Sequence, residues 1–261
     1  MLQGMHLHTP ETPLDAKAQG RLDRARVVRA LTWSLGFVLL LATVFLAQPH
    51  FDVGAWAVAP HELRGLAGIL TAPLLHGSFE HIAANAAALI LLGTLAGSVY
   101  PQATLRSLPL LWLGAGLGAW LLGETGTRHL GASGVTHGLM FLVFVLGLLR
   151  RDRPAIAAAM IAFLLYGGML LTVLPREAGV SWQAHLGGAL AGVVAAFLFR
   201  RSDPAPPRRK YSWEIEEEMA EEAARIEREQ FEPERPRDVP VLWNRPQPPR
   251  GVVLRFPRRE D

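Results

Sequence analysis

Ser133 and His185 are the side chains whose chemistry and setting combine most directly. Ser133 lies among small residues in Gly131-Ala132-Ser133-Gly134, where a polar connection turns into an apolar run of about seventeen residues, short for a membrane crossing. A serine hydroxyl is a weak nucleophile until a base within hydrogen-bond reach takes its proton, and His185, near the start of the last apolar run, is suited to that task. Taken alone, Gly-x-Ser-Gly reads equally as a flexible turn or a helix start. Two sets of paired glycines favour the chemical reading. Gly134 and Gly138 follow the serine, and Gly188 and Gly192 share the histidine's helical face, so the two segments can approach closely in lipid.

His81 and Asn85 are spaced i, i+4 and share one face of another apolar run. They could donate to the oxyanion of a tetrahedral intermediate, helped by the free N–H groups at the start of the Ser133 helix, or they could form a structural hydrogen-bond pair between helices. Spacing alone leaves both readings open. His76 reads as a loop-fixing donor. No acidic residue lies in the apolar part of a span, so the residues point to a dyad; Glu124 and Glu177 fall in loops. Several histidines near one face raise metal or haem ligation, but no metal-motif spacing and no carboxylate within the spans supports it, and neither metal nor cofactor is expected.

The elements that must position these groups are membrane spans. Half of the 261 residues are apolar, and runs of crossing length occupy most of residues 28–200 while both ends are polar. The expected runs are Val27–Ala47, His81–Val99, Leu108–Leu122, Ser133–Leu149, Pro154–Leu174 and one that starts after Ser181 as N-cap and ends at Arg200 and Arg201. The first is read as an uncleaved span because no small-residue cleavage site follows it. Between Gln48 and Phe79, Pro49, Pro60 and Pro73 interrupt a mixed loop with room for a short interfacial helix.

The absence of cysteine excludes disulfides and thiolate chemistry. The net charge of +3 does not signal nucleic acid, because the basic residues cluster at the ends of apolar runs. Lys17 to Arg29, Arg106, Arg150 to Arg153, and Arg200 with Arg201 fall on one side, against Arg64, Arg128 and Arg176 on the other, which predicts an all-α, six-span, N-in/C-in bundle. The expected organisation is a cytoplasmic segment 1–26, a membrane core 27–201 and a cytoplasmic tail 202–261 with an acidic helix near 212–231. That tail is read as solvated and partly disordered, with docking of a cytoplasmic partner as the alternative.

Leu75-His76, His81-x-x-x-Asn85, Gly131-Ala132-Ser133-Gly134 and Ala184-His185-Leu186-Gly187-Gly188-Ala189-Leu190-Ala191-Gly192, in that order, resemble the rhomboid intramembrane serine proteases over about residues 63–200. The resemblance implies a six-span rhomboid-like bundle with Ser133 as nucleophile and His185 as general base. It also implies an oxyanion hole of His81, Asn85 and the Ser133 N–H, no metal or cofactor, and substrates that are membrane proteins, typically single-span, in a cell inner (plasma) membrane. Two positions depart from the family pattern. Leu63-Arg64 stands where Trp-Arg is common, and His137 stands where a tyrosine usually packs on the base, so His137 either substitutes as a flat ring or competes for the serine proton. A rhomboid-like protein that binds transmembrane helices without cutting them is the alternative function. A transporter is disfavoured by the lack of an internal repeat.

Overall fold

The computed structural model describes residues 16–177, 179–204 and 212–231, and the regular elements among them are helices, joined at one point by a β-bridge between Val58 and His129. The chain divides into two units, residues 1–206 and 207–261. The second contains a helix, Ser212–Phe231, with eight glutamates and two arginines. Segment 1–15 and the tail flanks 205–211 and 232–261, which the sequence reading called polar and partly disordered, lie outside the described residues.

The first unit holds six helices long and apolar enough to cross a membrane. Helix α1, Ala16–Ala47, starts well before the expected Val27. Its basic first half is rich in alanine, arginine and leucine, which favour helix, and its arginines can extend their charges toward water, so the helix continues beyond the apolar run. Short helices α2, Val53–Trp56, and α3, Leu66–Thr71, occupy the following loop. Helix α4, Phe79–Val99, is capped by Ser78, whose hydroxyl accepts the His81 N–H at 3.2 Å.

Helix α5, Pro101–Leu122, begins seven positions earlier than the apolar pattern predicts. Its cap comes from far along the chain: the Asp203 carboxylate accepts the N–H groups of Gln102 and Ala103, each at 2.9 Å. Arg106, placed before the span by the sequence reading, lies within the helix and donates to Ser202 Oγ at 2.9 Å. Helix α6, Ser133–Arg150, ends in the left-handed residue Arg151, and Asp152 caps α7, Arg153–Tyr166. Arg150 pairs with Asp152, donates to the main-chain oxygens of Asp203 and Pro204, and lies 5.2 Å from the centre of the buried Tyr100 ring. One polar cluster thus ties together the ends of α5, α6 and α8, Trp182–Phe199.

The fifth span also differs from its expected limits. The α-helix stops at Tyr166, and Gly167–Leu170 continues as a tighter 3-10 turn, where two successive glycines cost helix propensity. This leaves the main chain around Thr172 in an irregular turn.

Helix α8 is gripped by α6 and α5. A Cβ added to Gly188 would collide with the Gly134 carbonyl and one on Gly192 with the Gly138 carbonyl; added to Gly134 or Gly138 it would lie 2.8 Å from the Ala184 oxygen or 3.0 Å from the Gly188 oxygen. The paired glycines expected on α6 and α8 therefore face each other. On the α5 side, a Cβ on Gly118 would lie 2.8 Å from Gly187 Cα. Gly114 and Gly118 of the third span form the second wall of this contact.

His76 is wholly buried where the loop enters α4. Its main chain is the fixing group: the Gln48 side-chain amide donates to its carbonyl at 2.7 Å and accepts its N–H at 2.9 Å. Its ring meets that of His81 edge-on at 5.0 Å.

Two outcomes are expected. Gly188→Ala, which must displace main chain, should lower the unfolding free energy of the detergent-solubilised protein by about 1–3 kcal/mol, whereas Gly36→Ala, with open space beside it, should not. Burial, and secondarily the neighbouring His81, hold the His76 imidazole down to about 4 from an ordinary value near 6.5, so the unfolded chain binds more protons between those values. The stability contributed by neutral His76 is full above about 6.5 and is lost progressively as the pH falls toward about 4; His76→Asn should make the acid side of a melting-point profile shallower.

Candidate active site

Ser133 is the first residue of α6, reached through Gly131, whose φ of +114° is a conformation that favours glycine. The same glycine is required by space, since a Cβ there would come within 2.6 Å of His81 Nε2. The Gly131 N–H donates to the Ala72 carbonyl at 2.9 Å, which holds the loop against the segment before α4. Ser133 remains partly exposed.

His185 lies in the first turn of α8, which Ser181 caps as expected, its hydroxyl accepting the Ala184 N–H. The ring is buried, with 6% of the residue exposed, and its Nε2 lies 2.9 Å from Ser133 Oγ. Its Nδ1 lies 3.0 Å from the Thr172 carbonyl oxygen. A carbonyl only accepts, so Nδ1 carries the proton and the opposite nitrogen is left to accept the serine hydroxyl. The tautomer needed for a general base is therefore set by a main-chain dipole.

His137, one turn after Ser133, stacks on His185 with ring centres 3.8 Å apart and planes 13° from parallel. It donates from Nδ1 to the Ser133 carbonyl at 2.6 Å, and its Nε2 accepts from the Thr172 hydroxyl at 2.8 Å. Of the two readings open from sequence, the geometry selects the flat ring: both nitrogens are engaged away from the serine hydroxyl, so His137 does not compete for its proton.

Thr172 is the residue that sequence reasoning missed. Its carbonyl meets one histidine and its hydroxyl the other. The available signal was a single hydroxyl in the apolar stretch before Pro175, but the more important contact is made by an atom every residue possesses.

On α4, Asn85 is buried with 5% exposure, and its Nδ2 has no protein partner among the described residues. His81, one turn before it, packs against Gly131 beside the serine. A buried amide donor left unpaired in the protein is the condition expected of a group reserved for a transient partner. Gly134, Gly188 and Gly192 contribute by their lack of side chains, as the α6–α8 contact requires. Neither Glu124 nor Glu177 pairs with a histidine of this cluster; the orienting acceptor is Thr172. Among the described residues no group of three or more histidine, aspartate and glutamate side chains is arranged to hold a metal ion.

The rhomboid-domain family model matches residues 64–202, which contain α3 to α8 and every residue of the cluster. Proteins of Mycobacterium bovis and Mycobacterium tuberculosis, each described as uncharacterized, are 39% identical over 205 residues, 72% of this chain and 81% of their own length. One of Mycobacterium leprae, described in the same way, is 34% identical over 201 residues, 71% of this chain and 80% of its own. The chain is a multi-pass helical protein that belongs to the rhomboid family.

Proposed function

We propose that this protein is an intramembrane serine endopeptidase that hydrolyses peptide bonds in or near transmembrane segments of membrane proteins, typically single-span ones. The observation that carries the reading is the 2.9 Å contact between Ser133 Oγ and a His185 ring whose far nitrogen is fixed by a carbonyl. Ser133 Oγ attacks the peptide carbonyl carbon as His185 Nε2 takes the hydroxyl proton, and the imidazolium returns that proton to the leaving amine. Water then repeats the sequence in reverse roles on the acyl-enzyme.

The oxyanion is received by the Ser133 N–H, free of an i−4 partner at the first turn of α6, with Asn85 Nδ2 and His81 as side-chain donors. His137 stacks on His185 and keeps its ring plane fixed as charge appears on it. No metal or cofactor takes part. The basic residues at the Arg150 end of the bundle, together with those of α1, support an N-in/C-in orientation in an inner (plasma) membrane, which puts Ser133 and His185 near the outer face.

The test is cleavage of a single-span reporter by purified protein in detergent. Ser133→Ala and His185→Ala are each expected to lose at least about a thousandfold in kcat/KM. His137→Ala should lose about tenfold through loosening of the base, with His137→Phe retaining more activity than His137→Ala. Cutting that persists in Ser133→Ala sinks the mechanism. A wild type that retains the intact reporter without cutting it identifies the non-catalytic, helix-binding alternative.

A further inference from the structure

A second serine–histidine contact lies one turn outward from the first. His129 stands four residues before Ser133, Ser181 stands four before His185, and both contacts join residues 52 apart, with the roles exchanged between the segments. His129 Nδ1 lies 2.7 Å from Ser181 Oγ and its Nε2 lies 2.9 Å from Thr127 Oγ1.

The directions of these bonds can be worked out. Thr127 donates its single hydroxyl proton to the Glu124 carbonyl at 2.6 Å, so at His129 it can only accept, and Nε2 must carry a proton. In the neutral ring Nδ1 is then bare and accepts from the Ser181 hydroxyl. Ser181 Oγ in turn accepts the Ala184 N–H as cap of α8, while the Ser181 carbonyl receives the His185 N–H at 3.2 Å. With His129 neutral each bond in this chain has a donor and an acceptor, and burial, which lowers its affinity for a proton, favours that form.

The same residue is fixed by its main chain. His129 and Val58 exchange both N–H···O bonds, at 2.9 and 3.0 Å. Gly123 leaves room for the ring, since a Cβ there would lie 2.7 Å from His129 Nε2. One residue thereby joins, through its main chain, the connection between α2 and α3 and, through its ring, the loop that delivers Ser133 and the cap of the helix that carries His185.

We infer that His129 is a positioning residue for the Ser133–His185 pair, acting through the Ser181 hydroxyl to hold the first turn of α8 in register with the start of α6. Ser181 is not a second nucleophile in this arrangement, because its oxygen serves as the helix cap. The catalytic consequence rests on the protease reading proposed above; the clamp itself does not.

The experiment uses the full chain in detergent, with His129→Leu, Ser181→Ala, the double variant, and His129→Asn, whose Oδ1 can stand near the position of Nδ1. Steady-state cleavage of the single-span reporter and hydrogen exchange of the amides of residues 182–186 are measured for each. The expected result is a kcat about tenfold lower in each single variant with KM within about twofold, a double variant no worse than the single ones, and recovery in His129→Asn. Exchange in the first turn of α8 should quicken in His129→Leu and return toward wild type in His129→Asn, with the amides of α4 and α6 unchanged. Unaltered kcat in the single variants of a cutting enzyme, or losses that multiply in the double, overturn the inference. So does unaltered exchange at 182–186 in His129→Leu, or a rise spread over the bundle. If the wild type does not cut, the protease reading fails by itself, and the exchange measurement still decides whether the clamp exists.

Discussion

The structure depends on the approach of α6 to α8 without intervening side chains. Gly188 and Gly192 lie against the carbonyls of Gly134 and Gly138, and any larger residue would force the axes apart. Lipid supplies no hydrophobic pressure between two apolar helices, so close packing and the hydrogen bonds it permits must hold them. The 2.9 Å contact between Ser133 and His185 is one such bond, made by the residue just before Gly134 and the residue three before Gly188. Affinity between the helices and alignment of the reactive atoms are therefore the same geometric fact. Gly114, Gly118 and Gly187 extend it to α5, so that α8 is held by two neighbours.

Polar side chains complete the bundle at both ends. Around Ser133 they are histidines, threonines and an asparagine, and around Arg150 they are arginines and aspartates. Buried polar atoms are costly unless paired, and the side chains of Ser133, His137, Thr172 and His185 are paired within the protein. Asn85 Nδ2 stands apart as a donor left without one among the described residues. On the proposed reading, a site with its base oriented and a donor unpaired is ordered before any substrate arrives.

Much of this was legible from residue spacing. That Ser133 and His185 meet followed from the glycine pairs, and the Ser181 cap followed from a hydroxyl at the start of an apolar run. The limits of α5 were not legible, because Asp203, about a hundred positions along the chain, supplies the cap that starts the helix at Pro101. The early end of α7 was present in Gly167-Gly168, but an apolar count carries through glycine and hides the change of winding. The role of His129 was not legible, since its main-chain partner Val58 and its ring partner Ser181 are both distant in sequence.

The orienting group of His185 is the carbonyl of Thr172, and this changes what inheritance can act upon. An aspartate in that role would be a letter in the sequence, open to loss by one codon change and visible to any comparison of relatives. A carbonyl survives every replacement at its position that keeps the turn. It also brings no ionised carboxylate into hydrocarbon, where such a charge is expensive. The third partner of the pair is thus encoded as the path of a turn, and genetic screens that exchange side chains are blind to it by construction.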